Sequence, residues 1–190
     1  IIGNEKIGLN GPRSVKNSRI CNNKKYGICI NYSSEIASEI SYCVISGNDS
    51  IGILLGHPVR LISNNIIGLN IDQTMPIPNG YGIYVYNGDI DSVKNNIISG
   101  NRLDGVRDIA GRGGIRNFVG NYVGTNSFFG TDPLLGNGGN GFIRGISSDS
   151  YSLRGDVSNN YFGNNGGYGV LSFNTSGTEQ YFFSGTTISF

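Results

Sequence analysis

Four ionisable residues crowd one short stretch of the chain, "NRLDGVRD", which holds Arg102, Asp104, Arg107 and Asp108. Two guanidinium groups and two carboxylates at that density can grip a polar ligand or pass protons, so they are the catalytic candidates. Chemistry is thin elsewhere. The one histidine, His57, sits in "LLGHPVRL" before a proline, the signature of a solvated bend residue. The three cysteines, Cys21, Cys29 and Cys43, form no C-x-x-C pair, which argues against a zinc site. They read as small buried hydrophobes, with a disulfide between two of them as the alternative. The stretch "GNGGNG", residues 136–141, fits G-x-G-x-x-G. A dinucleotide loop needs a preceding strand and a helix opening on it, and "FIRGISSDSYSL" has no helical period. A calcium nonapeptide also fails, because Ile143 stands where an aspartate is required. No metal or resident cofactor is expected.

The elements that must hold these residues are short strands. Gly is 31 of 190 residues and Asn 25, while good helix formers are scarce. Ile, Val, Tyr and Phe carry the apolar content, and Gly and Asn supply turns. With 37% hydrophobic residues the chain can fill a core. A net charge of +1 gives no sign of a nucleic-acid-binding face, and no apolar run approaches the ~20 residues of a membrane helix.

A kernel recurs in "RICNNKKYGICI", "VISGNDSIGILL", "IISGNRLDGVRD" and "YFGNNGGYGVLS". A bulky residue is followed three positions later by Asn, four later by Gly, then by another bulky residue. The bulky columns are Ile1, Ile20, Ile45, Ile67, Ile98, Val123 and Phe162, and Leu9, Ile28, Ile53, Ile83, Val106, Phe142 and Val170. The Asn column reads Asn4, Asn23, Asn48, Asn70, Asn101, Asn126 and Asn165, with two copies stretched by insertions at 71–78 and 127–137. A period near 23 residues with drift outside a fixed kernel is a solenoid signature. The expectation is an all-β parallel β-helix of about seven coils, one domain over 1–190. At the strand spacing this is a rod of roughly 30–35 Å. Inward aliphatic residues stack into a core, and inward amides stack into a hydrogen-bonded ladder. Asp108 falls in the inward column of Ile30, Leu55 and Val85, which predicts a register slip at "RDIAGRGG" or a partner, and three nearby glycines favour the slip.

Both insertions leave the same corner of coils two apart, with the coil of Arg102 and Asp104 between them. Two coils span ~10 Å, the width of a cleft for a sugar chain. The ligand-binding expectation is therefore Arg102, Asp104, Tyr81, Phe128, Phe129 and Asp132. The competing expectation is that the loops pack on each other.

The lines "NNIISGNRLDGV" and "NYVGTNSFFGTDPLLGNGGNGFI" resemble the right-handed parallel β-helix repeat family, the pectate-lyase-like group of secreted and surface proteins. The likeness covers nearly the whole chain and is specific for fold. It implies an extracellular or cell- or virion-surface location. Polygalacturonases of the group use Gly-His-Gly with paired aspartates, whereas His57 stands in Gly-His-Pro. Its epimerase motif is also missing. Its pectate lyases use an arginine base with carboxylate-bound calcium, so calcium enters only with a lyase reading.

The chain opens inside a coil at "IIGN" without an initiator Met, and stops part-way into another at "ISF". It reads as a segment of a longer solenoid, or as a unit stacking head to tail on copies of itself into a fibre. The functional expectation is a non-enzymatic structural or adhesive β-helix. The alternatives are a polysaccharide lyase, glycoside hydrolase or phage tailspike depolymerase, and a carbohydrate-binding module.

Overall fold

The computed structural model describes residues 1–31, 36–110, 113–128, 131–146, 156–174, 182–184 and 187–188. Every strand pairing between named strands is parallel, and each strand pairs with its counterpart one coil away. Three seven-stranded sheets result. The first holds Ile7–Asn10, Tyr26–Ile30, Ile51–Leu55, Tyr81–Val85, Val106–Asp108, Phe142–Ile146 and Val170–Asn174. The second holds Ser14–Lys16, Ala37–Ser41, Val59–Ser63, Gly88–Lys94, Gly113–Val119, Asp156–Ser158 and Phe182–Ser184. The third holds Arg19–Cys21, Val44–Ser46, Ile66–Ile67, Ile97–Ile98, Tyr122–Val123, Tyr161–Phe162 and Thr187–Ile188.

The bulky columns stack as the sequence predicts. Ile20, Ile45, Ile67, Ile98, Val123 and Phe162 are successive partners in the third sheet. Leu9, Ile28, Ile53, Ile83, Val106, Phe142 and Val170 are successive partners in the first. Apart from Leu9 and Val170 these are buried and join one central core, in which Phe118 stacks on Phe142 at 4.6 Å.

The amide ladder exists, with two members corrected. Side-chain amides link Asn4 to Asn23 (2.7 Å), Asn23 to Asn48 (2.8 Å), Asn48 to Asn79 (2.8 Å) and Asn79 to Asn101 (3.0 Å). Asn101 then meets Asn137 (2.9 Å), and Asn137 meets Asn165 (2.9 Å). Asn79 and Asn137 thus hold the places expected of Asn70 and Asn126. The reason is where the chain departs. In a regular coil the left-handed residue stands two positions after the bulky one, as at Gly47 and Gly100. At Gly68 and Gly124 it comes one position after, and the chain swings out before an Asn reaches the ladder. Asn70 instead closes its own loop by accepting from the Thr74 and Met75 amides. Asn126 accepts from the Phe128 amide.

"GNGGNG" is therefore repeat kernel and not inserted loop, with Asn137 in the ladder. Its amides are spent on neighbouring coils: Gly138 donates to the Asn101 carbonyl (2.8 Å), Gly139 to Leu103 (3.1 Å) and Gly141 to Tyr168 (2.8 Å). Column glycines keep φ negative and serve by having no side chain. A Cβ on Gly105 would stand 2.8 Å from both Asn137 Nδ2 and the Gly141 carbonyl.

A second ladder lines the bend between the second and third sheets. Asn65 donates to Asn96 (2.9 Å), Asn96 to Asn121 (3.0 Å) and Asn121 to Asn160 (3.0 Å). Each follows a left-handed residue, Asn64, Asn95, Gly120 and Asn159 respectively.

Asp108 corrects a further expectation. No slip occurs: Val85 faces Asp108, which faces Arg144 in the next coil. Asp108 is 2% exposed and Arg144 4%, with the guanidinium 3.9 Å from the carboxylate. Asp108 accepts from the Ile115 amide (2.8 Å) and the Ala110 amide (3.4 Å), and Arg144 donates to the Ile115 carbonyl (2.7 Å). The pair serves the backbone at the corner between the first and second sheets. Burial pushes the Asp108 carboxyl above its ordinary range, against Arg144 and the two amides that favour its charge.

Candidate functional site: the outer face of the first sheet

The first sheet carries apolar and aromatic residues on its outer side as well as its inner side. Cys29, Ile51 and Leu54 form a cluster separate from the core, with Ile7, Tyr26, Tyr81 and Tyr84 packed against it. The register sets this stripe. Tyr26 faces Ile51, which faces Tyr81, while Cys29 faces Leu54, which faces Tyr84 and then Arg107. Three inter-strand steps carry the stripe about 14 Å along the rod. The Tyr81 and Tyr84 rings meet edge to face at 5.3 Å and are both partly exposed. Cations bracket the stripe, with Lys25 lying 4.9 Å from the Tyr26 ring and Arg107 lying 5.8 Å from the Tyr81 ring.

Three sequence-predicted residues converge here. Arg107 donates to Asp104 at 3.0 Å and covers Tyr81. Burial would lower the Arg107 guanidinium, but the Asp104 hydrogen bond and charge, with Tyr81 and Tyr84 beside it, hold it above its usual value. Asp104 is buried and also accepts from Asn140, from its amide (2.8 Å) and from Nδ2 (3.0 Å). It braces one coil against the next. Arg102 is turned to backbone carbonyls, donating to Asp49 and to Pro78 (3.4 Å). Asp108 lies inside the solenoid, away from this surface.

The insertions do not wall this face. Gln73 of the first takes the Ser127 hydroxyl of the second at 2.7 Å, so the two loops bind each other. Leu69 and Leu135 then cover Ile97, Ile66 and Tyr122 on the outside of the third sheet. Asp132 caps a short 3-10 turn, Pro133–Leu135, by accepting from the Leu134 amide at 2.9 Å. Phe128 is exposed on its loop, and Phe129 lies outside the described residues.

The residues missed from sequence are Tyr26, Tyr84 and Lys25. The signal was present in the pair "YGIYV" and "YGICI", where the tyrosine before the column glycine faces outward. His57 is a half-buried bend residue between the first and second sheets, with Nδ1 enclosed. Cys21, Cys29 and Cys43 are buried free thiols, as the first sequence reading has it. Burial raises the Cys29 and Cys43 thiols above their ordinary range. Among the described residues no group of three or more His, Cys, Asp or Glu is placed to hold a metal ion.

No curated protein and no solved structure matches the chain. The model of the right-handed β-helix region matches residues 5–188. With three parallel sheets stacked coil on coil over the same span, the chain belongs to the right-handed β-helix family.

Proposed function

We propose that the protein is a non-enzymatic, surface-displayed adhesive β-helix that holds polysaccharide against the outer face of its first sheet. The observation that carries this reading is the tyrosine stripe capped by Arg107. Sugar rings present apolar C–H faces and a rim of hydroxyls. Partly exposed tyrosines offer a flat apolar body with a polar tip, which suits both. A row built on strands is rigid, so little ordering cost accompanies binding. The commitment of Asp104 to Asn140 and Arg107, and of Asp108 to Arg144, favours holding over turnover, because neither carboxylate is left to move a proton at the surface.

The test is a glycan array probed with the wild-type chain and with Tyr81→Ala. Binding to a defined polysaccharide class, weakened about tenfold in the variant, is the expected result. An empty array, or equal binding by both proteins, would dispose of the reading. Release of unsaturated sugar products from an acidic polysaccharide would replace it with the lyase.

A further inference from the structure

A second surface, on a different sheet, has the makings of a site. Arg60, Asp91 and Arg116 are outward neighbours on three successive strands of the second sheet, set by the pairs Val59 with Ile90 and Ile90 with Ile115. Asp89 lies two residues before Asp91 on the same strand side. Together with Ile36, Pro58 and Val59 they line a groove of about 410 Å³.

The charges in it are not evenly satisfied. Arg116 donates to Asp89 Oδ2 (2.8 Å) and to Asp91 Oδ1 (3.4 Å), so one guanidinium serves two carboxylates. Its Nε is enclosed without a hydrogen-bond partner. Each carboxylate keeps a second oxygen, Asp89 Oδ1 and Asp91 Oδ2, to which no ion pair is made. Arg60 is exposed and, among the described residues, makes no ion pair, although Asp91 faces it across the register. The groove thus offers one uncommitted guanidinium fork, two carboxylate oxygens that accept from hydroxyls, and an apolar edge at Ile36 and Pro58.

We infer that this groove is a second ligand site, for a small polyhydroxy carboxylate. The ligand's carboxylate pairs with the Arg60 fork, a charge-assisted and geometrically specific contact. Its hydroxyls donate to Asp89 and Asp91. Arg116 ties those two carboxylates together and offsets one of their two negative charges, and Arg60 supplies the second positive charge. A ligand with hydroxyls alone forgoes the pair with Arg60, and one with a carboxylate alone forgoes the aspartates. The inference does not depend on the tyrosine face, which lies on the first sheet.

The experiment is titration of the chain with gluconate, with glucitol (the same hydroxyls without the carboxylate) and with acetate (the carboxylate alone), followed by NMR or calorimetry. Gluconate is expected to bind saturably and about tenfold more tightly than either control. Arg60→Ala, with an unchanged melting temperature, is expected to remove the preference, Arg60→Lys to keep part of it, and Tyr81→Ala to leave it intact. Gluconate binding no tighter than glucitol or acetate, full retention by Arg60→Ala, or loss in Tyr81→Ala would each overturn the assignment.

Discussion

The buried pair Asp108–Arg144 makes a quantitative demand on stability. Both side chains are nearly inaccessible, at 2% and 4% exposed. Replacing Arg144 with Met fills the space but leaves a carboxylate in the core and strips the Ile115 carbonyl of its donor. Breaking a buried pair from one side costs about 3–5 kcal/mol. The cost must depend on pH, and its sign follows from the direction of the shift. The Asp108 carboxyl is raised by burial in the folded chain, so over the interval above its unfolded value the native state keeps a proton that the unfolded state releases. Stability contributed at this site therefore falls as pH rises through that interval. Removing Arg144 removes a group that favours the charged form, pushes the carboxyl higher and widens the interval. Arg144→Met should thus lose several kcal/mol relative to wild type at pH 8 and distinctly less at pH 5. Asp108→Asn, with nothing to ionise, lacks this pH dependence, so its loss relative to wild type should be no larger at pH 8 than at pH 5. Urea midpoints with unchanged slopes at the two pH values measure this directly. A loss below about 1 kcal/mol for Arg144→Met at pH 8, or an equal loss at both pH values, would refute the assigned burial and its electrostatics.

Gly105→Ala should lower stability by about 2 kcal/mol, because its Cβ would press on the Asn137 amide and the Gly141 carbonyl; a thermal melt within error of wild type would show that the coils are farther apart. Cys29 and Cys43 should resist a disulfide reagent at pH 8 in the native state and react in denaturant, since burial keeps both as thiols; rapid native labelling would contradict their placement.

The inward columns were legible because a solenoid repeats the same residue class at the same point of every coil. Ile20, Ile45, Ile67 and Ile98 announce themselves by type and by distance to the next Asn. The ladder was legible except where the loops leave. Gly68 and Gly124 turn the chain out one residue early, so the Asn three positions after the bulky residue is no longer the ladder Asn. Counting back from the column glycine instead finds Asn137 four residues before Gly141 and Asn79 three before Gly82. The second ladder left a mark as well, in the Asn65, Asn96, Asn121 and Asn160 that precede paired bulky residues. Asp108 was not legible in the same way. Its partner lies 36 residues on, as far as Asn101 is from Asn137, and a loop of unequal length intervenes, so only the coil register brings the two together. The site was half legible. Tyr81, Asp104 and Arg107 do meet, but the loops expected to flank them bind each other over another sheet.

Underneath all of this is the claim that amides from consecutive coils stand in single file, with Asn79 and not Asn70 in the file. Alanine at each position, measured by urea denaturation, decides it. Asn79→Ala orphans donors and acceptors on Asn48, Asn101 and Ile45 and should cost at least about 3 kcal/mol. Asn70→Ala opens only a surface turn and should cost no more than about 1 kcal/mol. Equal costs, or the reverse order, would mean that the coils are not stacked in this register.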